Sequence, residues 1–452
     1  MAGWHLVMVS GSTAEQADAA VCQVASRLRS GRESLSDVCH ELAARPWLRH
    51  RRFAVCRDGE SPAASPDEQG RPVRRGAASR AEPRVVFLCP GVGDEFVGMG
   101  HGLYDADPVF AHWIDWGCDR AERELGIDLR KVFLARRESP AASPNDVFRA
   151  MFSRAGNTPV PDESIRDIRV SHPAMFVLEH ALIQSWSSRG VRPAALLGHS
   201  LGELTAACAA GVLDVDDALR LVAGRAHAVS QLPGGVMLAV QLSVDDMQGY
   251  LTPQVTVALM NAPAATVVAG ARDAIDEVAE RLTRDAIACR PLATSHAFHS
   301  PMLADAAPAL RRIIASIRWR PLRIPYVSNV TGRWATDDEL RDPEYWIQHM
   351  CRPAAFATAV GTTLETAPDA LLEVGPGRSV SSFVQQHTAF ARRTGPRVLA
   401  SLGYGLERRD DEECLLTALG QLWAVGVPID WSPITRRNHG DDRPVYAGQP
   451  VN

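Results

Sequence analysis

Gly198-His199-Ser200-Leu201-Gly202 is the stretch of this chain whose residue types and spacing most directly specify chemistry. It follows the apolar run Ala194–Leu197 and precedes the helix-forming stretch Leu201–Ala210, the context of a nucleophile elbow. The glycines permit a turn tight enough to expose the serine hydroxyl at the carboxyl end of a strand. The start of the next helix then offers a backbone N–H, that of Leu201, to an oxyanion. The same five residues would also make a plain small-residue turn packing a helix on a sheet; the strand–turn–helix context favours the nucleophile.

A serine hydroxyl needs a base. Of the 14 histidines, two stand out in Ser295-His296-Ala297-Phe298-His299, a segment that leaves one predicted unit and enters another, where a cleft would form. On residue pattern either His296 or His299 can be that base. Gly91-Val92-Gly93, after the apolar run Val85–Cys89, is a second glycine turn at a strand end and can add a backbone donor. Its spacing to Gly98 does not match the dinucleotide-binding pattern. Arg225 borders the stripe Val215, Leu219, Val222, Ala226 and Val229 on a helix that Asp214 would cap. Beside a serine nucleophile it would suit bidentate capture of a carboxylate; the alternative is one more solvated arginine.

These groups need a scaffold, and the chain supplies the pattern of one. From Arg84 onward, buried-type strands (Val85–Cys89, Ala194–Leu197, Leu371–Val374) alternate with helices, which predicts a mostly parallel sheet covered on both faces. Between Val236 and Leu292 the order is βαββαβ, with strands at Val236–Leu242, Val255–Met260, Ala265–Ala269 and Ile287–Leu292 and helices at Val244–Leu251 and Ala274–Thr283. That order predicts a ferredoxin-like subdomain inserted in a larger α/β domain. Residues 1–57 read as strand, helix, helix, strand, a small α+β unit. Asp58–Pro83 reads as a flexible linker, Ser139–Asp167 as a Pro/Ser-rich surface insertion, and Cys414–Trp423 as a last helix before an extended tail.

Composition bounds the function. With 46% hydrophobic and 22% charged residues the chain is ordinary globular material, and a net charge of −5 argues against a dedicated nucleic-acid binder. No uninterrupted apolar run reaches the roughly 18 residues of a membrane span, and the first residues lack a signal-peptide pattern, so a cytoplasmic protein is expected. The nine cysteines are scattered without a CxxC pair, which predicts reduced thiols and no metal site. Lys131 is the sole lysine, with no glycine-rich loop before it, so a P-loop is excluded.

The ordered blocks PGxG…GMG (within Cys89–Gly100), GHSLGE (Gly198–Glu203), an arginine 25 residues past the serine, NxPxxTVVAG (Asn261–Gly270), HAFH (His296–His299), SNVTG (Ser328–Gly332) and EVGPG (Glu373–Gly377) resemble the malonyl-CoA:acyl carrier protein transacylase family. The resemblance is to the acyltransferase domains of modular polyketide synthases and covers about Arg84–Leu402. Residues to Arg57 look like a ketosynthase–acyltransferase linker, and residues 403–452 like a post-acyltransferase linker and tail. It implies an α/β-hydrolase-like fold, with Ser200 as nucleophile and His299, rather than His296, as base. It implies backbone donors at Val92 and Leu201, Arg225 for the substrate carboxylate, and an acyl pocket near His296, Phe298 and His199. A backbone carbonyl near His349 would orient the base. The family's PGQGSQ turn here carries Val92 in place of the first glutamine.

The implied reaction moves an acyl group, malonyl by preference, from coenzyme A through an acyl-serine to the phosphopantetheine thiol of an acyl carrier protein. No permanently bound cofactor is expected. The implied partners are acyl-CoA, a carrier protein, and ketosynthase or other synthase modules, with neither nucleic acid nor membrane. HAFH and Leu201 resemble the malonyl-selective members; Phe298 would fill the space an α-methyl group needs. Alternatives are an editing thioesterase on the same fold, an α/β-hydrolase, a transferase using a carrier-bound or non-malonyl donor, and a docking scaffold without catalysis. A free-standing enzyme and a piece of a larger synthase are both compatible with the motifs.

Overall fold

Leu6, Val7, Met8 and Val9 are consecutive apolar residues, so the strand they form must be covered on both faces. In the computed structural model, which describes residues 3–63, 70–78, 82–135, 163–391, 396–405 and 409–432, it is. Strand β1 (Trp4–Gly11) pairs antiparallel with β2 (His50–Arg57), Trp4 lying opposite Arg57. Val7, Val9, Ala54 and Cys56 pack on α1 (Ala14–Arg29) and α2 (Leu35–Ala43). Trp4, Leu6, Met8, Phe53 and Val55 face the other way, into the main core.

A third strand, β3 (Arg74–Ala77), pairs with β2. This corrects the reading of Asp58–Pro83 as linker throughout. Its side chains are mostly exposed at a sheet edge, so it carries no apolar period, yet its backbone satisfies groups that β2 would otherwise leave unpaired. Residues 136–162, most of the predicted surface insertion, lie outside the described residues.

Apart from a two-residue pair at Pro62–Ala63 and Arg71–Pro72, the strands that follow are β4 (Val85–Cys89), β5 (Ala195–Gly198), β6 (Val236–Val240), β7 (Val255–Ala262), β8 (Ala265–Gly270), β9 (Cys289–Pro291), β10 (Tyr326–Val327), β11 (Ala370–Glu373) and β12 (Arg397–Ala400). The central sheet is parallel throughout, in the order β10-β5-β4-β11-β12. Its strands are short and almost wholly apolar, as helices on both faces require. The α/β class expected from the alternation is borne out. Strand β10 is two residues long, too short to be found by pattern.

Strands β6–β9 form a separate antiparallel sheet in the order β9-β6-β8-β7, the ferredoxin-like arrangement, with the helix Arg272–Arg284 packed on one face. The helices that matter to the site are α3 (Ile168–Ser188), α4 (Gly202–Ala209), α5 (Val215–Ser230), α6 (Arg272–Arg284), α7 (Pro343–Cys351) and α8 (Asp411–Val425).

Helix α8 is apolar almost all round because it is buried between the N-terminal sheet and the main core. A Cβ at Gly420 would sit 2.4 Å from the Phe53 ring, which sets how closely helix and sheet approach. Trp47 packs edge-on against Trp423, with ring centroids 4.9 Å apart. Among the described residues no helix is long and apolar enough to cross a membrane.

Candidate active site

Parallel pairing of β4 and β5 sets Cys89 opposite Gly198, so the turns that leave the two strands lie side by side at their carboxyl ends. Both glycines of the elbow are sterically required. A Cβ on Gly198 would lie 2.4 Å from Glu203 Cα, and one on Gly202 would lie 2.0 Å from the Cys89 carbonyl oxygen. Between them Ser200 has φ 52°, left-handed backbone that a serine adopts only where the surroundings enforce it. Gly202→Ala is expected to destabilise the fold by at least about 1–3 kcal/mol, since its methyl meets backbone that cannot rotate away. Urea denaturation of wild type and variant checks this; equal midpoints would contradict it.

His299 also has positive φ, 56°, and its Nε2 lies 2.7 Å from Ser200 Oγ. Its Nδ1 faces the Arg352 carbonyl at 3.3 Å, and backbone of His349 acts on the ring too. A carbonyl at Nδ1 keeps the hydrogen there and leaves Nε2 bare to accept the serine proton. The ring is 1% exposed. Burial pushes its pKa down to about 3, with the charge of Arg225 acting in the same direction. His296, the other candidate base, is turned away. Its Nε2 donates to the Leu232 carbonyl at 3.3 Å and its Nδ1 accepts from Ser295 Oγ at 2.8 Å.

Arg225 is 3% exposed, and none of its three guanidinium nitrogens has a hydrogen-bond partner among the described residues. That excludes a solvated arginine. Burial lowers its pKa to about 10; His172, His299 and His349 are depressed by burial first and by the Arg225 charge second. Phe298 lies among buried rings, 5.5 Å from His172 and 6.2 Å from His296 between centroids. His199 is held away from solvent by Asn261, whose Oδ1 is 2.8 Å from its Nε2, and by the ring of Phe356.

The turn after β4 abuts the elbow: a Cβ on Gly91 would lie 2.5 Å from the His199 carbonyl and 3.3 Å from Leu201 N. Gly91 N–H donates to Glu179 Oε1 at 2.8 Å, which ties this turn to α3. Burial raises the Glu179 pKa to about 7. Val92 follows directly in the same turn.

Pattern reading missed Asn261, Glu203, Asn329, Tyr345, His172 and Glu179. The first three lie inside the motif blocks, but a motif says nothing of which polar atom meets which. His172 and Glu179 sit on the buried helix α3, where only three-dimensional packing distinguishes them from other residues of an apolar face.

Comparison with known proteins adds a second line. The model of the family described as acyl transferase domain matches residues 86–419. The chain is 33% identical over 449 residues to a phenolphthiocerol/phthiocerol polyketide synthase subunit of Mycobacterium tuberculosis, covering 96% of this chain and 28% of that protein. It is 31% identical to spectinabilin polyketide synthase system protein NorB of Streptomyces orinoci, covering 92% of this chain and 19% of that one. The chain thus spans less than a third of the length of these relatives. Among solved structures, the acyl transferase domain of SpnD in complex with 2-(pent-4-yn-1-yl)malonyl superposes with TM-score 0.79 at 32% identity, covering 94% of this chain and 96% of that one. The acyltransferase domain from the second module of the salinomycin polyketide synthase gives TM-score 0.70 at 30% identity, covering 98% of each.

Proposed function

The chain belongs to the acyl transferase domain family found in modular polyketide synthases, and from that premise we propose that it carries a malonyl group from coenzyme A to an acyl carrier protein through Ser200. The observation that carries this reading is the Ser200–His299 pair at 2.7 Å with a buried Arg225 that has no hydrogen-bond partner among the described residues and whose field reaches the same histidine. His299 Nε2 takes the hydroxyl proton as Ser200 Oγ attacks the thioester carbonyl. The Val92 and Leu201 N–H groups hold the oxyanion, and α4 adds its positive end. Collapse of the tetrahedral adduct expels coenzyme A thiolate, which takes the proton from His299. The phosphopantetheine thiol of the carrier then gives its proton to His299 and attacks the acyl-serine; the acyl–Oγ bond breaks and Oγ takes the proton back from His299, restoring Ser200 and the neutral base.

Arg225 supports a carboxylated acyl group, because an anion there would pair a buried cation. The relative whose domain was solved with a substituted malonyl group supports the same class. Phe298 favours the unsubstituted form, since its buried ring limits room beside the α-carbon. Reduced thiols and a cytoplasmic setting go with this reading.

Intact-mass measurement after incubation with malonyl-, methylmalonyl- and acetyl-CoA tests it. A malonyl increment on Ser200 that a carrier protein discharges much faster than water is expected. Equal discharge with and without carrier would favour the thioesterase.

The pH profile gives a separate check. A base buried as a neutral ring with a pKa near 3 stays competent well below the usual histidine range. The kcat/KM for acylation is therefore expected to hold from neutral pH down to about 5, falling only as the pH approaches the depressed pKa. A fall centred near 6.5, the ordinary histidine value, would contradict it.

A further inference from the structure

Ser200 sits at a strained turn, and side chains from two distant segments grip its own peptide groups. Its N–H donates to Asn329 Oδ1 at 3.3 Å. Its carbonyl accepts from His349 Nε2 at 3.1 Å, in addition to the Glu203 N–H at 3.0 Å. Asn329 Nδ2 donates to the Gly198 carbonyl at 2.5 Å, so one amide spans the elbow from the end of β5 to the serine.

Glu203 lies behind both grips and holds that of Asn329 directly. Glu203 Oε2 accepts the Asn329 N–H at 2.7 Å and lies 3.6 Å from His349 Nε2. Its Oε1 accepts from the Tyr345 hydroxyl, which is also 2.7 Å from Ser328 Oγ. Glu203, Asn329, His349 and Tyr345 are all buried. Burial and the nearby Arg225 charge keep the His349 ring neutral, so donating to a carbonyl fixes its hydrogen on Nε2.

We infer that the Asn329 and His349 side chains are positioning residues that aim Ser200 Oγ at His299, by holding the serine's N–H and carbonyl, with Glu203 fixing the Asn329 backbone. The inference rests on Ser200 being the nucleophile. It adds a constraint: the Ser200 N–H is committed to Asn329, which leaves the oxyanion to other peptides.

A fluorophosphonate probe tests this independently of the acyl group. Ser200 Oγ bonds to phosphorus, the P–F bond breaks, fluoride leaves and the serine proton passes to His299. Labelling is followed by intact mass in wild type, Asn329→Ala, His349→Leu and His349→Gln, the last of which keeps a donor near the Nε2 position. Maximal labelling is expected to fall about 10–100-fold in Asn329→Ala and His349→Leu with the half-saturating probe concentration unchanged, and to return to within about 3-fold of wild type in His349→Gln. Equal rates in all four proteins overturn the inference, as does a His349→Gln loss as deep as that of His349→Leu. A wild type unlabelled at Ser200 overturns the nucleophile instead. If Asn329→Ala does not fold, the His349 pair decides.

Discussion

Ser200→Ala is expected to leave a folded protein that takes up no acyl group at all. The change removes one oxygen from a partly exposed turn and no core atom, so the melting temperature should stay near that of wild type. The bond that would hold the acyl group cannot form, and loss of a nucleophile from a working serine–base unit costs up to about 10⁶-fold in kcat. His299→Ala retains the hydroxyl but removes the imidazole 2.7 Å from it, and is expected to slow acylation by about 10²–10⁴-fold. His296→Ala should do far less, because both His296 nitrogens are engaged elsewhere. The check is single-turnover acylation by malonyl-CoA, read by intact mass. A His296→Ala variant more damaged than His299→Ala would overturn the assignment of the base.

Arg225→Ala is expected to invert the acyl preference. A bidentate, charge-assisted contact to a malonyl carboxylate contributes about 1.5–3 kcal/mol, so kcat/KM for malonyl-CoA should fall about 10–100-fold. Acetyl-CoA has no carboxylate and gains from removal of a buried cation that nothing among the described residues pairs, so its relative activity should rise. The same change removes a charge that depresses the His299 pKa, so the acid limb of the variant should move to higher pH. The decisive measurement is the set of kcat/KM values for malonyl-, methylmalonyl- and acetyl-CoA in both proteins. A variant that still prefers malonyl-CoA, or a wild type that ignores it, would overturn the substrate reading.

Much of this molecule is legible along the chain. The βαββαβ rhythm of Val236–Leu292 and the buried-type strands ending in glycine turns declare their elements because their periods and breakers are local. The elbow, too, is a local object: glycine, serine and glycine between strand and helix define the turn and the exposed hydroxyl together. Arg74–Ala77 escaped, since an edge strand with exposed side chains has no pattern, only a backbone that fits its neighbour. Helix α8 was visible as a helix, but its seat against Phe53 of β2 was not, because that contact joins residues hundreds of positions apart.

At the site the division is the same. Residue types and spacing nominated Ser200, two histidines and an arginine. The chain alone could not choose between His296 and His299 on physical grounds, since only two residues separate them and their sequence surroundings are alike. The tertiary structure decides by orientation: a left-handed turn at His299 aims that ring at Ser200, while the Leu232 carbonyl turns His296 aside. It also decides that Arg225 is buried without a partner among the described residues, and that Asn329 and His349 meet the serine's backbone. Hydrogen bonds and desolvation depend on which groups are brought within about 3 Å of each other and which are removed from water. Those are properties of packing between distant segments, and no local pattern encodes them.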